Sequence, residues 1–183
     1  MNILPPSFRD VGATVNRLCG HELMMETLLY RSGEILLVES LSLIGNPKTI
    51  VNLEEGRDRT WGEGEIGIHL PFPNTSEVYD PSSPDTVKWI GEVLNVLGIE
   101  GLKFPVLVHC AAGKDRTGAI IAVLLSLVGI PSERIVAEYS ESEGPLYPLK
   151  VRELIEFFAR NTVVSSCLIS RLKKRFLARR GEL

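Results

Sequence analysis

Hydrophobic and polar positions along the chain fall into two kinds of pattern. Short apolar runs occur at Ile35–Val38, Thr49–Leu53, Ile66–Leu70 and Val106–Val108, each with the length of a buried strand. Between and after them, apolar residues recur at helical spacing. Val87, Ile90, Val93, Leu94 and Leu97 form one such stripe, with Asp85 as the expected N-cap and Gly98 as the stop. The stretch Thr117–Val128 is apolar on nearly every side, which predicts a helix buried all round. Gly129 ends it, and Pro131-Ser132 opens another helix carrying Ile135, Val136 and Tyr139. A further helix is predicted over Pro148–Arg160, with Leu149, Val151, Leu154, Ile155 and Phe158 facing inward. A last one places Leu168, Leu172 and Phe176 on one face among basic residues. Strands alternating with helices predict an α/β fold in three layers: a central, mostly parallel sheet of four to five strands flanked by helices.

A chain of 183 residues fits one domain, 1–183, with a core large enough to need no staple. Its 44% apolar and 23% charged residues are those of a soluble globular protein. The formal charge is -3, which offers no basic field for nucleic acid. Six cations, Arg171, Lys173, Lys174, Arg175, Arg179 and Arg180, are crowded near the C-terminus, and the remainder carries -9. A solvated helix face is the favoured reading of that cluster, and contact with an anionic membrane is the alternative. Cys19, Cys110 and Cys167 are odd in number and widely spaced, so neither a disulfide framework nor a zinc site is expected. The opening residues lack the apolar run of a signal peptide, and the apolar stretch after Thr117 is too short to span a bilayer. A cytoplasmic monomer is the expectation.

Chemistry concentrates in Pro105–Gly118, PVLVHCAAGKDRTG. An apolar strand leads in to His109, Cys110 begins a tight turn of Ala111, Ala112 and Gly113, and Arg116-Thr117 opens the buried helix. Successive backbone N–H groups in such a turn form an anion-binding nest, and the helix N-terminus adds free donors and the positive end of its dipole. The same field favours a reactive thiolate at Cys110. Arg116 can hold two phosphoryl oxygens with its planar fork. Attack by Cys110 on phosphorus would form a phosphocysteine that water then hydrolyses, with the Thr117 hydroxyl assisting departure of the sulfur. This chemistry needs no metal or cofactor. Lys114 could meet a second phosphate or a lipid headgroup. His109 is expected to orient the loop by hydrogen bonds rather than to titrate. Two other readings compete: a non-catalytic phosphate-binding module, which would need no nucleophile, and an interaction protein, for which the loop has no explanation.

The stretch HCAAGKDRTG resembles the HCxxGxxRTG loop of the cysteine-dependent protein tyrosine and dual-specificity phosphatase superfamily. Its Gly-Lys-Asp-Arg-Thr-Gly form is similar to bacterial-type tyrosine and lipid phosphatases and in part to myotubularins. Ser7–Gly12, Leu29–Gly33, His69–Pro73 and Ala137–Tyr139 resemble further stretches of the bacterial-type family. The resemblance implies a phosphatase fold acting on phosphotyrosine, phosphoinositides or inositol phosphates, and it places Arg31 near the substrate pocket, with a surface ion pair as the alternative. Two departures stand out. Asn52-Leu53-Glu54 replaces a common Asp-Leu-Arg, and Asn74 falls where related enzymes carry a general acid after the Pro-Phe turn. Among the five aspartates, Asp10, Asp58, Asp80, Asp85 and Asp115, the general acid is therefore expected at Asp115, inside the loop as in myotubularins. Asp80 is the rival, and Asp85 is read as a helix cap.

Overall fold

The computed structural model describes residues 4–61 and 64–178. Five strands, β1 (Arg9–Asp10), β2 (Leu29–Ser32), β3 (Thr49–Asn52), β4 (Ile66–His69) and β5 (Val106–His109), form one sheet in the order β1-β2-β5-β3-β4. Only β1 runs antiparallel. Among the described residues, six α-helices accompany them: α1 (Val11–Cys19), α2 (Pro84–Leu97), α3 (Asp115–Val128), α4 (Ser132–Ser140), α5 (Pro148–Arg160) and α6 (Ser166–Phe176). The central strands are buried and rich in Val, Ile and Leu, as parallel strands covered on both faces must be.

Alternation along the strands sends Leu29, Val51, Val106 and Val108 to one face and Ile50 and Leu107 to the other. Buried side chains of all six helices join the first group in one core around α3. The opposite face is covered by Ile35, Val38 and Ile44, from an irregular segment ending in a 3-10 turn at Leu41–Ile44. The third layer is thus loop and turn, not helix.

Three sequence expectations change in detail. Ile35–Val38 is a turn, not a strand: Val38 N–H bonds the Ile35 carbonyl at 3.0 Å, both side chains plug the sheet face, and Leu37 is 91% exposed. The strand lies just before it, at Leu29–Ser32, where the buried Arg31 and Ser32 disguise the apolar pattern. Helix α2 is capped by Ser83, whose side chain accepts from Thr86 N–H, with Pro84 as first helical residue. Asp85 occupies the first turn, where a carboxylate meets the positive dipole end. Leu149 faces solvent at 73% exposure, because α5 turns Val151, Leu154, Ile155 and Phe158 inward instead. Helix α6 buries Leu168, Leu172 and Phe176 as its pattern predicts, and Arg175 donates to the Leu97 and Ile99 carbonyls at the end of α2. Arg179 and Arg180 lie outside the described residues. Among the described residues, no helix is long and apolar enough to cross a membrane.

Helix α3 is the centre of the packing, and Leu124 is fully buried on it. Leu124→Ala is expected to lower unfolding free energy by about 2–5 kcal/mol, read from urea denaturation, because the rigid surroundings cannot close the cavity.

Candidate active site

Parallel register brings Ser32, Asn52 and His109 to one level, with His69 beside Asn52, so four strand ends share one edge of the sheet. Loops leaving the carboxyl ends of parallel strands are where open α/β sheets bind ligands. The loop from Cys110 to Lys114 leaves the central strand β5 there and feeds directly into α3.

The loop's shape is imposed by its neighbours. Gly113 has φ +67°, and a Cβ on it would lie 2.4 Å from Gly33 N and from Ser32 C, so only glycine fits. Gly33 is equally constrained: a Cβ there would lie 2.8 Å from the Ala111 carbonyl oxygen. The Ala111 carbonyl accepts from Glu34 N–H at 2.9 Å, and the Gly113 carbonyl accepts from Arg31 Nη2 at 2.7 Å. In a trans peptide the N–H points opposite to the carbonyl. Turning these two carbonyls outward therefore turns the Ala112 and Lys114 amides toward the loop's concavity, which is the nest geometry.

Cys110 is 2% exposed at the mouth of this loop, and its N–H reaches the Ser32 carbonyl at 3.4 Å. Arg116 is buried in the first turn of α3. Its Nη1 donates to the carbonyls of Leu53 at 3.2 Å and Phe72 at 3.1 Å, which fixes the guanidinium plane from the ends of β3 and β4. Its Nε is buried with no protein partner, as is the Thr117 hydroxyl beside it. An anchored arginine with an unanswered donor, at a helix N-terminus and next to a cysteine, fits an anionic, oxygen-rich ligand.

Arg31 lies near the pocket, as the resemblance implies, but fully buried beneath the loop, so its ion pair is internal and not at the surface. Its Nη1 pairs with Glu138 Oε2 at 2.6 Å, and Nη2 also reaches Ser142 Oγ at 3.2 Å. Glu138 Oε1 pairs in turn with Arg9 Nε at 2.8 Å. Burial and the neighbouring Arg31 charge push the Arg9 guanidinium below its ordinary range. Two arginines share one carboxylate behind the loop. Gly118 permits this packing, since a Cβ there would lie 2.8 Å from the Tyr139 ring. Sequence reasoning missed Arg9 and Glu138 as site-shaping residues; the signal lay in the Ser7–Gly12, Leu29–Gly33 and Ala137–Tyr139 stretches, which converge on this one cluster.

His109 is fully buried. Its Nε2 lies 2.8 Å from Asp58 Oδ2, its Nδ1 lies 3.8 Å from Glu54 Oε1, and its carbonyl accepts from Leu53 N–H. Glu54, standing where the resemblance expects arginine, is pushed above the ordinary carboxylate range by burial, with the charges of His109 and Arg116 opposing the shift.

Asp115 begins α3, and Lys114 Nζ lies 3.3 Å from its Oδ2. Its Oδ1 accepts from the Tyr79 hydroxyl at 2.8 Å. Asp80 is exposed, and its Oδ1 accepts from both the hydroxyl and the N–H of Ser82. Those two bonds hold the Asp80 carboxyl below its ordinary range, as in a turn-capping carboxylate.

A model of the tyrosine phosphatase family matches residues 69–174, more than half of the chain. The triple specificity protein phosphatase PtpB of Mycobacterium tuberculosis is 48% identical over 48 residues, covering 26% of this chain and 17% of that protein. A tyrosine-protein phosphatase of Nostoc commune is 57% identical over 37 residues, 20% of this chain and 13% of that protein. The matched segments thus span less than a fifth of these relatives' lengths. Among solved structures, the core catalytic domain of the PP-IP phosphatase SIW14 from S. cerevisiae superimposes with TM-score 0.61 at 18% identity, covering 89% of this chain and 91% of that one. P. aeruginosa TpbA does so with TM-score 0.52 at 21% identity, covering 81% and 85%. These two likenesses are of fold.

The shared carboxylate yields a stability prediction. Glu138→Gln would leave the buried Arg31 guanidinium without its counter-charge and is expected to cost about 3–5 kcal/mol in denaturant unfolding. A cost under about 1 kcal/mol would mean that the cluster does not hold the loop.

Proposed function

From the membership of this chain in the tyrosine phosphatase family, we propose that it hydrolyses phosphate monoesters through a phosphocysteine intermediate. The observation that carries the proposal is Arg116, in the first turn of the helix that follows the Cys110 loop, fixed by two carbonyls yet with a buried Nε unanswered. The phosphoryl group would sit in the loop, its oxygens on the amides and on the Arg116 fork. The Cys110 sulfur attacks phosphorus in line with the leaving oxygen, and the charge on the transferring group is met by donors already in place. Asp115 gives its proton to the leaving oxygen and then takes one from the attacking water. The Thr117 hydroxyl, buried and unpartnered, donates to the departing sulfur in the second step.

The substrate is an aryl or alkyl phosphate: phosphotyrosine, a phosphoinositide or a soluble inositol phosphate. Lys114, whose ammonium lies 3.3 Å from Asp115 Oδ2 where the loop meets α3, is the residue that would meet a second anionic group of the substrate. A panel of phosphopeptides, phosphoinositide vesicles, inositol phosphates and inositol pyrophosphates, assayed with a chelator present, ranks these classes by kcat/KM.

Cys110→Ser is expected to abolish turnover while inorganic phosphate still binds, measured by calorimetry, since a serine hydroxyl is not ionised at neutral pH but the nest and Arg116 remain. Turnover by a well-folded Cys110→Ser protein would overturn the mechanism. Loss of phosphate binding in a folded Arg116→Lys variant supports the fork; unchanged catalytic efficiency contradicts it.

A further inference from the structure

The segment after the Pro71–Pro73 turn carries Asn74 where the resemblance places a general acid. It brings a hydroxyl to Asp115. Tyr79 ends the 3-10 turn Ser76–Tyr79 and is buried, and its hydroxyl reaches back to Asp115 Oδ1 at 2.8 Å. Behind it lies the Tyr139 hydroxyl at 2.9 Å, and Tyr147 N–H donates to Tyr139 Oη at 3.1 Å. We propose that Tyr79 is the positioning residue for Asp115, acting as the last donor of a one-way hydrogen-bond chain that runs from Tyr147 N–H through Tyr139 and Tyr79 to Oδ1. The inference rests on the reading of Asp115 as general acid.

Direction follows from counting protons. A phenol has one proton to donate and an oxygen that accepts. Tyr139 Oη is already an acceptor for the Tyr147 amide. If Tyr79 gives its proton to the carboxylate, the Tyr139 proton goes to Tyr79 Oη, and every group in the chain is satisfied. With Asp115 ionised or its proton on Oδ2, the reverse arrangement would leave Oδ1 facing a phenol oxygen with no proton between them. Burial, the Tyr139 bond and the Asp115 charge push Tyr79 far above the ordinary phenol range, so it keeps its proton and remains a donor.

Packing fixes the chain as firmly as the bonds do. Tyr79 meets Tyr139 edge-on with ring centroids 6.3 Å apart, and Tyr147 lies 6.0 Å away on another side. Tyr139 is fully buried against Gly118, one turn into the helix that Asp115 begins. Tyr79 holds Oδ1 and the Lys114 ammonium lies 3.3 Å from Oδ2, so for Oδ2 to carry the proton that ammonium must turn away from it. In the first step the Cys110 sulfur–phosphorus bond forms, the ester phosphorus–oxygen bond breaks, and the Oδ2 proton moves to the leaving oxygen. The carboxylate that results is a stronger acceptor, so the Tyr79 bond strengthens as the proton departs.

The test compares kcat/KM, which reports the phosphoryl-transfer step and not the later attack of water, for a primary alkyl phosphate and for p-nitrophenyl phosphate in wild type, Tyr79→Phe, Tyr139→Phe, Asp115→Asn and the Tyr79→Phe/Asp115→Asn double variant. Removing a general acid costs on the order of 100-fold or more with a poor leaving group, and Tyr79→Phe is expected to lose about tenfold of that. The expected result is loss of kcat/KM on the alkyl phosphate, little change in kcat/KM on p-nitrophenyl phosphate, and no further loss from Tyr79→Phe once Asp115 is Asn. Tyr139→Phe should show the same pattern more weakly, which keeps the test valid should Tyr79→Phe fold poorly. Equal losses on both substrates, or additive losses in the double variant, would overturn the positioning role. A leaving-group effect in Asp115→Asn but none in Tyr79→Phe removes that role alone. Indifference of Asp115→Asn to the leaving group removes the acid and the positioning role together.

Discussion

A guanidinium with no access to water must find its partners inside the protein, and the active-site loop is one of the partners that Arg31 finds. Its fork joins three parts of the chain: β2, from which it projects; Glu138 and Ser142, at and just beyond the end of α4; and the Gly113 carbonyl. The Gly113 bond is the one that matters for chemistry. Pulling that carbonyl outward turns the Lys114 amide inward, and Glu34 does the same one peptide pair earlier through Ala111. The concave row of donors is therefore a consequence of a buried charge several residues beneath it. A buried ion pair adds little net stability compared with an apolar replacement, but losing one partner is costly, which suits a device that selects one loop conformation.

Two glycines make the arrangement sterically feasible. Gly113 and Gly33 touch across a gap too narrow for any side chain, and Gly118 lets Tyr139 lie against α3. Parallel register then does the rest. Because β2, β3 and β5 end level, the Leu53 carbonyl is in place for Arg116, and the Phe72 carbonyl arrives from the end of β4. In the proposed mechanism a phosphoryl group entering the loop would meet donors already in place, which is the condition for electrostatic catalysis.

Much of this was legible in the amino-acid sequence, for physical reasons that differ by region. The helix Asp115–Val128 declares itself by being apolar all round, and the strand before it by being apolar and short, so the cysteine loop was placed between them without a structure. Strand β2 escaped notice because its inward face carries Arg31, whose burial depends on Glu138, 107 residues away. Ile35–Val38 misled for the opposite reason: an apolar run reads as a strand whether it pairs or merely plugs a sheet face with its first and last members. Asp85 looked like a cap because Ser83 is separated from the apolar stripe by a proline. Tyr79 could not be found at all, since nothing in a lone buried tyrosine announces a carboxylate 36 residues on.

The central claim is that the Cys110 sulfur bonds covalently to phosphorus. Rapid acid quench during turnover of p-nitrophenyl phosphate, followed by mass spectrometry of the digested protein, addresses it directly. The account predicts a phosphoryl increment on the peptide containing Cys110, absent from Cys110→Ser and from the peptides of Cys19 and Cys167. Burst release of p-nitrophenol with no phosphorylated Cys110 peptide, or the increment on another residue, would contradict it.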